Sequence, residues 1–377
     1  MRISISVGGK FHSAPLGLQL KKQGYLGQFI TSRPEMRHLL GDAVTAIPYP
    51  EYIGWAWCRL PLANRRLPFN LLKDNLFDVM ALRCLKPCDL LVAWAHFALF
   101  TMRRAKELGV KVVVERGSAH VLTHHDLLSD EYRRFGLAYN SAHPLMIRKQ
   151  LREYDEADII MVPSHFAYDS FIAHGIDAKK LRLVPYGVDN ILFSQPQALT
   201  KQTKFRVIFV GNIGLEKGVQ YLLQAVKELG LPDLELVLVG YPDASGEMLL
   251  KTYQGVYHYI PQVPHNELSR HYQMSSVFVL PSLAEGHAMV TSEAMACGLP
   301  VIVSSNTGAL ARDGVDGFVV PPTNVEALKD KLVYLYQHRQ EAREMGDNAR
   351  RYISDNYTWD HYGKRVVEVY RELLGLH

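Results

Sequence analysis

Short apolar runs rich in β-branched residues alternate along the chain with segments of helical periodicity. In the first half these runs predict strands at 2–7, 89–93, 110–114, 158–162 and 181–184. In the second half they predict strands at 205–210, 234–239, 277–280, 300–303 and, more weakly, 318–320. Strands that alternate with helices are typical of parallel sheets whose connections cross over through helices. The pattern therefore predicts an α/β protein.

The alternation breaks between about 190 and 203, where polar residues and Pro196 separate two periodic blocks. A fresh strand opens the second block, and both blocks have the same strand–helix arrangement. We therefore expect two Rossmann-like, doubly wound domains that face a central cleft, the first over 1–190 and the second over 195–358. The remaining stretch, 359–377, has the apolar spacing of an amphipathic helix.

Composition agrees with a folded protein of more than one domain. The chain has 377 residues, 48% apolar and 21% charged, which is close to the globular average and too long for a single core. The formal charge of +4 hides an asymmetry, because residues 1–190 carry 25 basic against 18 acidic side chains and residues 191–377 carry 17 against 20. A basic first half suits an anionic partner such as phosphate groups or a membrane surface, and it is equally typical of ordinary solvated surface.

Several classes of protein and site find no support in the sequence. The longest apolar run, 90–102, has 13 residues and is too short to span a bilayer, and the N-terminus does not resemble a signal peptide. The four cysteines suggest no disulfide framework, and no helix-turn-helix or zinc-finger spacing is present. Cys84 and Cys88 with His96 nearby could suggest a metal site, but no second cysteine pair or His-x-x-x-His accompanies them, which favours thiols in packed elements. We expect a cytoplasmic protein without a metal, a cofactor or a nucleic-acid partner.

A glycine-rich junction between a strand and a helix is the first segment that indicates chemistry. It runs from Gly211 to Gly218, with Asn212 after the first glycine and Lys217 before the last. Glycines let the backbone approach an anion, a helix N-terminus offers free N–H groups, and a lysine adds positive charge. These features suit a diphosphate. The segment is neither a Walker motif nor a Gly-x-Gly-x-x-Gly fingerprint, and a plain glycine turn with an exposed lysine is the alternative.

A second segment carries two carboxylates. Glu285 is predicted to lie in a loop after the strand at 277–280, and Glu293 in the first turn of a short helix that Gly298 and Pro300 end. Two carboxylates at this spacing can each bind hydroxyl groups. A glutamate in a first turn also stabilises the helix dipole, so Glu293 alone has a structural explanation.

The spacing Glu285-x7-Glu293, with its continuation EAMACGLPVI, resembles the Glu-x7-Glu region of the retaining GT-B glycosyltransferases of family 4, or glycosyl transferases group 1. That family includes sucrose synthases and mannosyltransferases acting on phosphatidylinositol. The resemblance covers most of the chain, is strongest over 155–325, and is specific as a combination. It implies a GT-B architecture in which the C-terminal helix, 359–377, returns to the first domain. Further matches follow in the family's order at 162–164, 184–189, 216–218 and 316–321.

The resemblance also implies roles for individual residues. Lys217 resembles the lysine that holds the donor diphosphate, Glu285 the acid that contacts sugar hydroxyls, and Glu293 the acid that holds the ribose. His120 is similar in position to the first-domain histidine that faces the donor sugar, with a structural histidine as the alternative. Loop and backbone positions complete the implied donor-binding set: Gly9, Gly211, Asn212, Gly218, Gly286, His287, Ala288, Met289 and Val290.

Two departures from the family pattern bear on donor binding. The family usually places an arginine directly after the first glycine of the phosphate loop, where this chain has Asn212. Lys217 then lacks a guanidinium partner, and such a loss at a developing charge costs on the order of 3 kcal/mol unless it is replaced. Arg116, which ends a first-domain strand, is the candidate replacement. The family's Gly-Gly-x-Pro-Glu stretch is also altered, to Asn-Thr-Gly-Ala-Leu at 306–310.

The resemblance implies transfer of a sugar, with retention of configuration, from a nucleotide-diphosphate sugar to a glycan, lipid or small-molecule acceptor. No Asp-x-Asp triplet is present to hold Mg²⁺, in keeping with the family's metal-independent pattern. Lys217 and the helix N-terminus at 218 would then stabilise the leaving diphosphate. Two alternatives remain on the same scaffold, namely a nucleotide-sugar epimerase and a non-catalytic nucleotide-sugar binding protein.

Acceptor binding is assigned to the first domain, where the sequence is least informative. Trp55 and Trp57 lie close in sequence to Arg65 and Arg66. Aromatic and basic side chains together suit peripheral contact with an anionic membrane, and tryptophans buried in the core beneath outward arginines are the alternative. A second basic cluster is a candidate for the electrostatic part of that contact: Arg133, Arg134, Arg148, Lys149 and Arg152.

Overall fold

The computed structural model describes residues 1–9, 12–49, 69–193 and 204–376 of the chain, in which two parallel sheets are each covered by helices. The strands of the first sheet are β1 (Ile3–Val7), β2 (Leu26–Thr31), β3 (Val44–Ala46), β4 (Leu90–Trp94), β5 (Lys111–Glu115), β6 (Ile159–Val162) and β7 (Leu181–Leu183). The helices that precede the second sheet are α1 (Ser13–Lys22), α2 (Arg37–Leu40), α3 (Phe69–Cys84), α4 (Leu99–Glu107), α5 (Val121–Arg134), α6 (Pro144–Glu156) and α7 (His165–Ala173).

The second sheet begins after the predicted linker, most of which lies outside the described residues. Its strands are β8 (Phe205–Val210), β9 (Leu234–Gly240), β10 (His258–Pro261), β11 (Val277–Leu280), β12 (Val301–Ser304) and β13 (Gly317–Val320). The remaining helices are α8 (Val219–Leu229), α9 (Ala244–Thr252), α10 (Leu268–Gln273), α11 (Met289–Ala296), α12 (Val325–Gln337), α13 (Arg339–Asn356) and α14 (Trp359–Leu374).

Strand order is what positions the site. The first sheet runs β3-β2-β1-β4-β5-β6-β7 and the second β10-β9-β8-β11-β12-β13, so both reverse direction beside their first strand. Ligands of such sheets bind outside the carboxyl ends of the strands at this reversal, between β1 and β4 and between β8 and β11. The predicted fold of two Rossmann-like domains is confirmed.

Three strands in the structure were not predicted by the apolar pattern. β2 contains Gly27 and Gln28, which weaken the pattern, yet Gln28 is buried because its side-chain amide donates to Thr45 Oγ1 at 2.9 Å and to the Cys84 carbonyl at 2.8 Å. β3 has only three residues, and β10 is a mostly exposed edge strand that ends at Pro261. Short or polar strands carry too little periodicity to be recognised in the sequence.

Helix α14 lies against α1, on the first domain. Thr358 and His361 form a capping box at its start, and Asp360 accepts hydrogen bonds from Gln19 and Lys22 on α1. Its inward face joins the first-domain core through Tyr362, Val366 and Tyr370. Among the described helices, none has the length and apolarity needed to cross a membrane.

Candidate active site

The phosphate loop leaves β8 through Gly211, forms a 3₁₀ turn at Leu215–Lys217 and enters α8 after Gly218. Gly218 has a φ of +70°, and a Cβ at this position would overlap the carbonyl oxygen of Pro281. Glycine is therefore required for the loop to lie against the end of β11. The loop leads directly into the N-terminus of α8, where unpaired N–H groups favour an anion.

Lys217 lies between two carboxylates at this edge. Its Nζ contacts Glu216 Oε1 at 3.0 Å and makes a shorter contact with Glu285 Oε1. Burial disfavours the charged lysine, but the two carboxylates outweigh it and raise the pKa of Lys217. Burial also raises the pKa of Glu285, against the opposing effect of Lys217. The structure thus brings together the predicted lysine and the predicted loop glutamate, 68 residues apart in sequence.

Backbone and side-chain contacts hold Glu285 in place. Leu283 N and Ser282 Oγ both donate to the Glu216 carbonyl, at 2.9 and 3.0 Å. On the other side, Glu285 N donates to the Asn306 carbonyl at 3.1 Å, and Asn306 Nδ2 donates to the Leu283 carbonyl at 2.9 Å. The altered 306–310 stretch therefore supports the loop that carries Glu285.

Glu293 differs from the sequence prediction in its place on the helix. α11 begins at Met289, so Glu293 lies in the second turn and the prediction of a first-turn position is wrong. The chain turns helical earlier because Thr291 N donates to the carbonyl of the N-cap residue, Ala288, at 2.9 Å. The Glu293 carboxylate is buried, with Oε1 at 2.8 Å from His265 Nε2 and Oε2 accepting from Tyr272 OH at 3.3 Å.

A cavity of about 230 Å³ opens beside the phosphate loop. Because His265 forms part of its wall, the Glu293–His265 pair lies at its border. Asn212 is also in the wall, donating from Nδ2 to Asp243 Oδ2 at 3.3 Å while its buried Oδ1 has no partner among the described residues. The full lining is Val210, Gly211, Asn212, Val239, Gly240, Tyr241, Gln262, Val263, His265 and Leu268.

The segment after Glu285 touches the first domain. A Cβ at Gly286 would overlap the carbonyl oxygen of Gly117, which follows β5, so glycine permits the two domains to meet here. His287 is buried, with its ring 5.5 Å from that of Tyr186 and its Nε2 3.1 Å from Ser292 Oγ. Burial lowers the pKa of His287 to about 4. The predicted run 286–290 is therefore an interdomain segment, with α11 beginning at its fourth residue.

His120 lies at the N-cap of α5 and is buried. Its Nδ1 accepts from Leu122 N at 3.4 Å, and its ring stacks on that of His174 at 4.1 Å. Burial, with the nearby His174 and Arg116, lowers the pKa of His120 to about 3, so the ring is neutral at physiological pH. His120 contacts Ser170, Tyr154, Phe171 and His174, which all belong to the first domain, and its donor role stays a prediction.

The predicted cation substitute, Arg116, is bound within the first domain. Its Nε and Nη2 donate to the Ala119 carbonyl at 3.0 and 2.9 Å, and its Nη1 donates to Gln150 Oε1 at 2.9 Å. These hydrogen bonds occupy all three guanidinium nitrogens and hold the loop after β5 in place. Gly9 follows β1 at the same edge of the first sheet, and the next two residues lie outside the described ranges.

Helix α5 makes a set of interdomain contacts that sequence reasoning missed. Glu131 is buried and accepts from Gln220 Nε2 at 2.8 Å and from Tyr221 OH at 2.6 Å, both on α8. Leu128 packs with Leu283 and Ala284, directly before Glu285. A buried carboxylate 89 residues from its partner leaves no local pattern, although the spacing of Leu128 and Glu131 on one helical face was visible.

At the edge of the first sheet, charged side chains are buried around the N-terminus of α4. Glu153 Oε1 accepts from Ala98 N and Leu99 N, and burial raises the pKa of Glu153 to about 7. Asp78 is fully buried and contacts Lys149 Nζ at 2.9 Å. Together the two carboxylates satisfy the free N–H groups at the start of α4, since Asp78 also accepts from Phe100 N and Thr101 N.

His96 lies beside this group with a strained backbone. Its φ of +67° is unusual for a residue with a side chain, and its Nδ1 lies 3.0 Å from Asp74 Oδ2. A second buried pair joins His12 Nε2 to Glu115 Oε2 at 3.3 Å. The two histidines follow β1 and β4, at the carboxyl edge of the first sheet.

The predicted membrane-facing residues are only partly described. The segment with Trp55, Trp57, Arg65 and Arg66 lies outside the described residues. In the second basic cluster Lys149 is buried against Asp78 and is not a surface charge, whereas Arg133, Arg134, Arg148 and Arg152 are exposed. Within the described ranges, no group of three or more His, Cys, Asp or Glu side chains is arranged to hold a metal ion.

Comparison with known families matches both halves of the chain. The family described as "Glycosyltransferase Family 4" matches residues 16–190, and the family described as "Glycosyl transferases group 1" matches residues 192–352. A relative from Mycolicibacterium hassiacum, named MMP alpha-(1->4)-mannosyltransferase, is 32% identical in an alignment of 358 residues that covers 90% of this chain and 79% of the relative. A GDP-mannose-dependent alpha-(1-6)-phosphatidylinositol monomannoside mannosyltransferase from Mycolicibacterium smegmatis is 28% identical over 243 residues, covering 57% of this chain and 62% of the relative.

Solved structures share the fold. Sucrose-phosphate synthase from Thermosynechococcus elongatus superposes with a TM-score of 0.73 at 20% identity, over 100% of this chain and 99% of that one. The Anabaena protein HepE, solved with UDP, superposes with a TM-score of 0.70 at 16% identity, over 99% of this chain and 100% of that one. At these identities the likeness shows the two-domain architecture.

Proposed function

This chain belongs to the family 4 glycosyltransferases of GT-B fold, and from that premise we propose which transfer it catalyses. The donor is a nucleoside diphosphate sugar, and the acceptor is a glycan, a lipid-linked molecule or a small molecule. The sugar keeps its anomeric configuration, and no metal ion is needed. No cofactor takes part, because the donor is itself the co-substrate.

One observation carries this proposal: Lys217, the N-terminus of α8 and Glu285 meet at the carboxyl edge of the second sheet. A cation beside free N–H groups binds a diphosphate, and a half-buried carboxylate binds sugar hydroxyls. The cavity lined by Asn212 and His265 extends from the same loop and suits the nucleoside. In this proposal Glu293, at the border of the cavity, binds the ribose hydroxyls directly or through His265, and its 2.8 Å contact with His265 supports that role.

The chemistry exchanges one bond at the anomeric carbon for another. The bond from that carbon to the diphosphate oxygen breaks, and a bond to the acceptor oxygen forms on the same face. The acceptor's hydroxyl proton passes to the departing phosphate oxygen. Lys217 and the α8 N–H groups stabilise the charge that grows on the diphosphate. In metal-dependent transfer a bound metal ion stabilises that charge.

The name of one relative specifies GDP-mannose and the structure of one neighbour contains UDP, so donors with different nucleotide bases are compared. A thermal-shift screen of UDP-, GDP- and ADP-sugars, each with and without EDTA, tests the donor and the metal together. At 100 times its Kd a ligand adds about 2.7 kcal/mol, which is a shift of a few degrees in Tm. We expect one nucleotide series to stabilise the protein with EDTA present. No increase in Tm with any of the three series would contradict the proposal.

We place the enzyme in the cytoplasm, with peripheral contact to anionic lipid through exposed arginines such as Arg133, Arg148 and Arg152. Flotation with vesicles that contain an anionic lipid tests this part separately. Binding should weaken as salt rises, because screening reduces attraction between exposed charges. Binding that is absent at low salt would exclude the membrane contact and leave the transferase proposal intact.

A further inference from the structure

Negative side chains outnumber positive ones around the phosphate loop. Lys217 faces Glu216 and Glu285, and Asp243 lies beside the loop against Gly214. Asn212 directs one of the two N–H groups of its Nδ2 at Asp243 Oδ2, at 3.3 Å, and as a neutral amide it brings no positive charge to balance an incoming anion. A diphosphate brings at least two further negative charges to this place. Among these side chains one cation stands against three carboxylates, so a further donor is required for tight binding.

Helix α5 of the first domain lies over this loop, and its inward face is fixed by contacts. Leu128 packs with Leu283 and Ala284, and Glu131 binds Gln220 on α8 at 2.8 Å. Residues three and four apart on a helix share one face. Stepping back one turn from Leu128, toward the start of the helix, places His124 on that same face.

His124 is therefore directed at the phosphate loop. α5 packs against the 3₁₀ turn Leu215–Lys217, and the segment that ends in Glu285 runs beside Leu128. Burial lowers the pKa of His124, Glu216 opposes that effect, and the charges of Arg116, Lys217 and His125 reinforce it. Both charged members of the turn thus act on the imidazole.

We propose that His124 is a donor-phosphate-binding residue, which supplies from the first domain the second charged donor that the neutral Asn212 does not supply from the second. This inference rests on the proposed function, since it names a further residue of the same donor site. A ring N–H of His124 donates to a phosphate oxygen, and the anion's negative charge favours the imidazolium. Arg116, bound to Ala119 and Gln150, is left to shape the loop after β5.

The experiment distinguishes binding of the phosphates from binding of the nucleoside. Titration calorimetry on the full chain compares UDP with uridine, GDP with guanosine and ADP with adenosine. For the diphosphate that binds, His124→Gln should weaken affinity by about 10- to 100-fold, the range for a hydrogen bond to a charged group. Binding of the matching nucleoside should stay unchanged, because His124 does not line the nucleoside cavity.

The neighbouring His125→Gln provides a matched control, with the same substitution on the same helix. His125 lies on the other side of Leu128 from His124 and Glu131, where its Nε2 is 3.5 Å from Ser129 Oγ and its ring is 5.9 Å from that of Tyr139, so affinity for the diphosphate should stay at the wild-type value. A rescue variant, Asn212→Arg combined with His124→Gln, should recover most of the lost affinity by supplying the second donor from the second domain. Calorimetry in buffers of different ionisation enthalpy should show proton uptake on diphosphate binding that His124→Gln abolishes.

Three results would overturn the proposed role of His124 or the function on which it rests. Wild-type affinity for the diphosphate in His124→Gln, or equal weakening of diphosphate and nucleoside, would overturn the role of His124. Failure of Asn212→Arg to recover affinity in a protein with unchanged Tm would also count against it. If the wild-type protein binds none of the three diphosphates, the proposed function itself fails, and this inference falls with it.

Discussion

The carboxyl edges of the two sheets hold their charges in different ways. At the second sheet, Lys217 and Glu285 come from two short segments whose backbones bond to each other, and their side chains are 20% and 19% exposed. At the first sheet, Lys149 and Asp78 come from two separate helices, and their side chains are 6% and 0% exposed. The Lys217–Glu285 pair borders the cleft, and the Lys149–Asp78 pair is buried inside the first domain.

The difference separates groups available to a ligand from groups committed to the fold. A half-buried pair can exchange its partner for a phosphate or a sugar hydroxyl when a donor enters. A fully buried pair that also holds the N-terminus of α4 cannot change partners without leaving a charge unpaired. Substitutions at the first edge should therefore change stability, and substitutions at the second should change activity.

The largest effect is expected at the first edge. Lys149→Ala leaves Asp78 buried without its cation and should lower the free energy of unfolding by about 3–5 kcal/mol. Urea denaturation followed by circular dichroism measures the loss. Arg152→Ala, at an exposed position on the same helix, should change stability by less than about 0.5 kcal/mol. Equal midpoints for the two variants would contradict the structural role of the buried pair.

At the second edge the effect should appear in turnover. Lys217→Ala and Glu285→Gln should each lower kcat/KM by about 10²- to 10³-fold, because a group aimed at charge in the transition state is lost. The Tm should change little. Lys227→Ala removes the same side chain from α8, where it lies over Tyr253, and should leave kcat/KM unaltered. Wild-type turnover in Lys217→Ala would show that the assigned site is wrong.

A smaller effect should follow pH at the first edge. In the folded protein Glu153 has a pKa of about 7, so it binds its proton more tightly than in the unfolded chain. Its contribution to stability is complete below the ordinary glutamate pKa and is lost as pH rises through 7, at up to about 1.4 kcal/mol per pH unit.

Glu153→Gln should therefore flatten the dependence of unfolding free energy on pH between 5 and 7, as measured by urea titrations at each pH. Glu156, three residues on, has a pKa lowered by its hydrogen bond with Arg103. Its contribution to the free energy of unfolding is therefore lost only as pH falls below the ordinary glutamate pKa, outside this window. Glu156→Gln should leave the slope in that window as it is in the wild type. A slope that survives Glu153→Gln would assign it to another group.

The smallest effect concerns the support of the second edge. Asn306→Ala removes the hydrogen bond to the Leu283 carbonyl and should loosen the loop that carries Glu285. The loss of one such bond, about 1 kcal/mol, corresponds to roughly a fivefold fall in kcat/KM. Asn356→Ala, which removes an exposed side chain that bonds to the Tyr352 carbonyl, should leave turnover unchanged and serves as the matched control. A fall as large as that of Lys217→Ala would mean that Asn306 itself touches the substrate.

The same contrast explains what the sequence could predict. The second edge was predictable because its chemistry lies in contiguous segments, where glycine spacing and Glu285-x7-Glu293 are visible along the chain. Lys217 and Glu285, both singled out in the sequence, are in contact in the structure, and their roles toward a donor stay predictions. Glu293 was misplaced by one turn because the helix begins at Met289, a residue with no distinctive capping signal.

The first edge was not predictable for a physical reason. Burying Lys149 requires Asp78, 71 residues earlier, and burying Glu131 requires Gln220, 89 residues later. Neither pair has a periodic signature, and each charged residue alone indicates solvated surface. Lys149 was accordingly assigned to a basic surface cluster, and α5 to the first domain alone.

The position of α14 has a consequence for how the chain is made. Tyr362, Val366 and Tyr370 complete the core that also contains Leu16 and Leu20 of α1, yet the ribosome adds them after the whole of the second sheet. We therefore expect the core of the first domain to stay incomplete until α14 has been synthesised, whereas the second domain, which is one continuous stretch of chain, can fold before it. A chaperone that shields exposed apolar surface would then act mainly on the first domain.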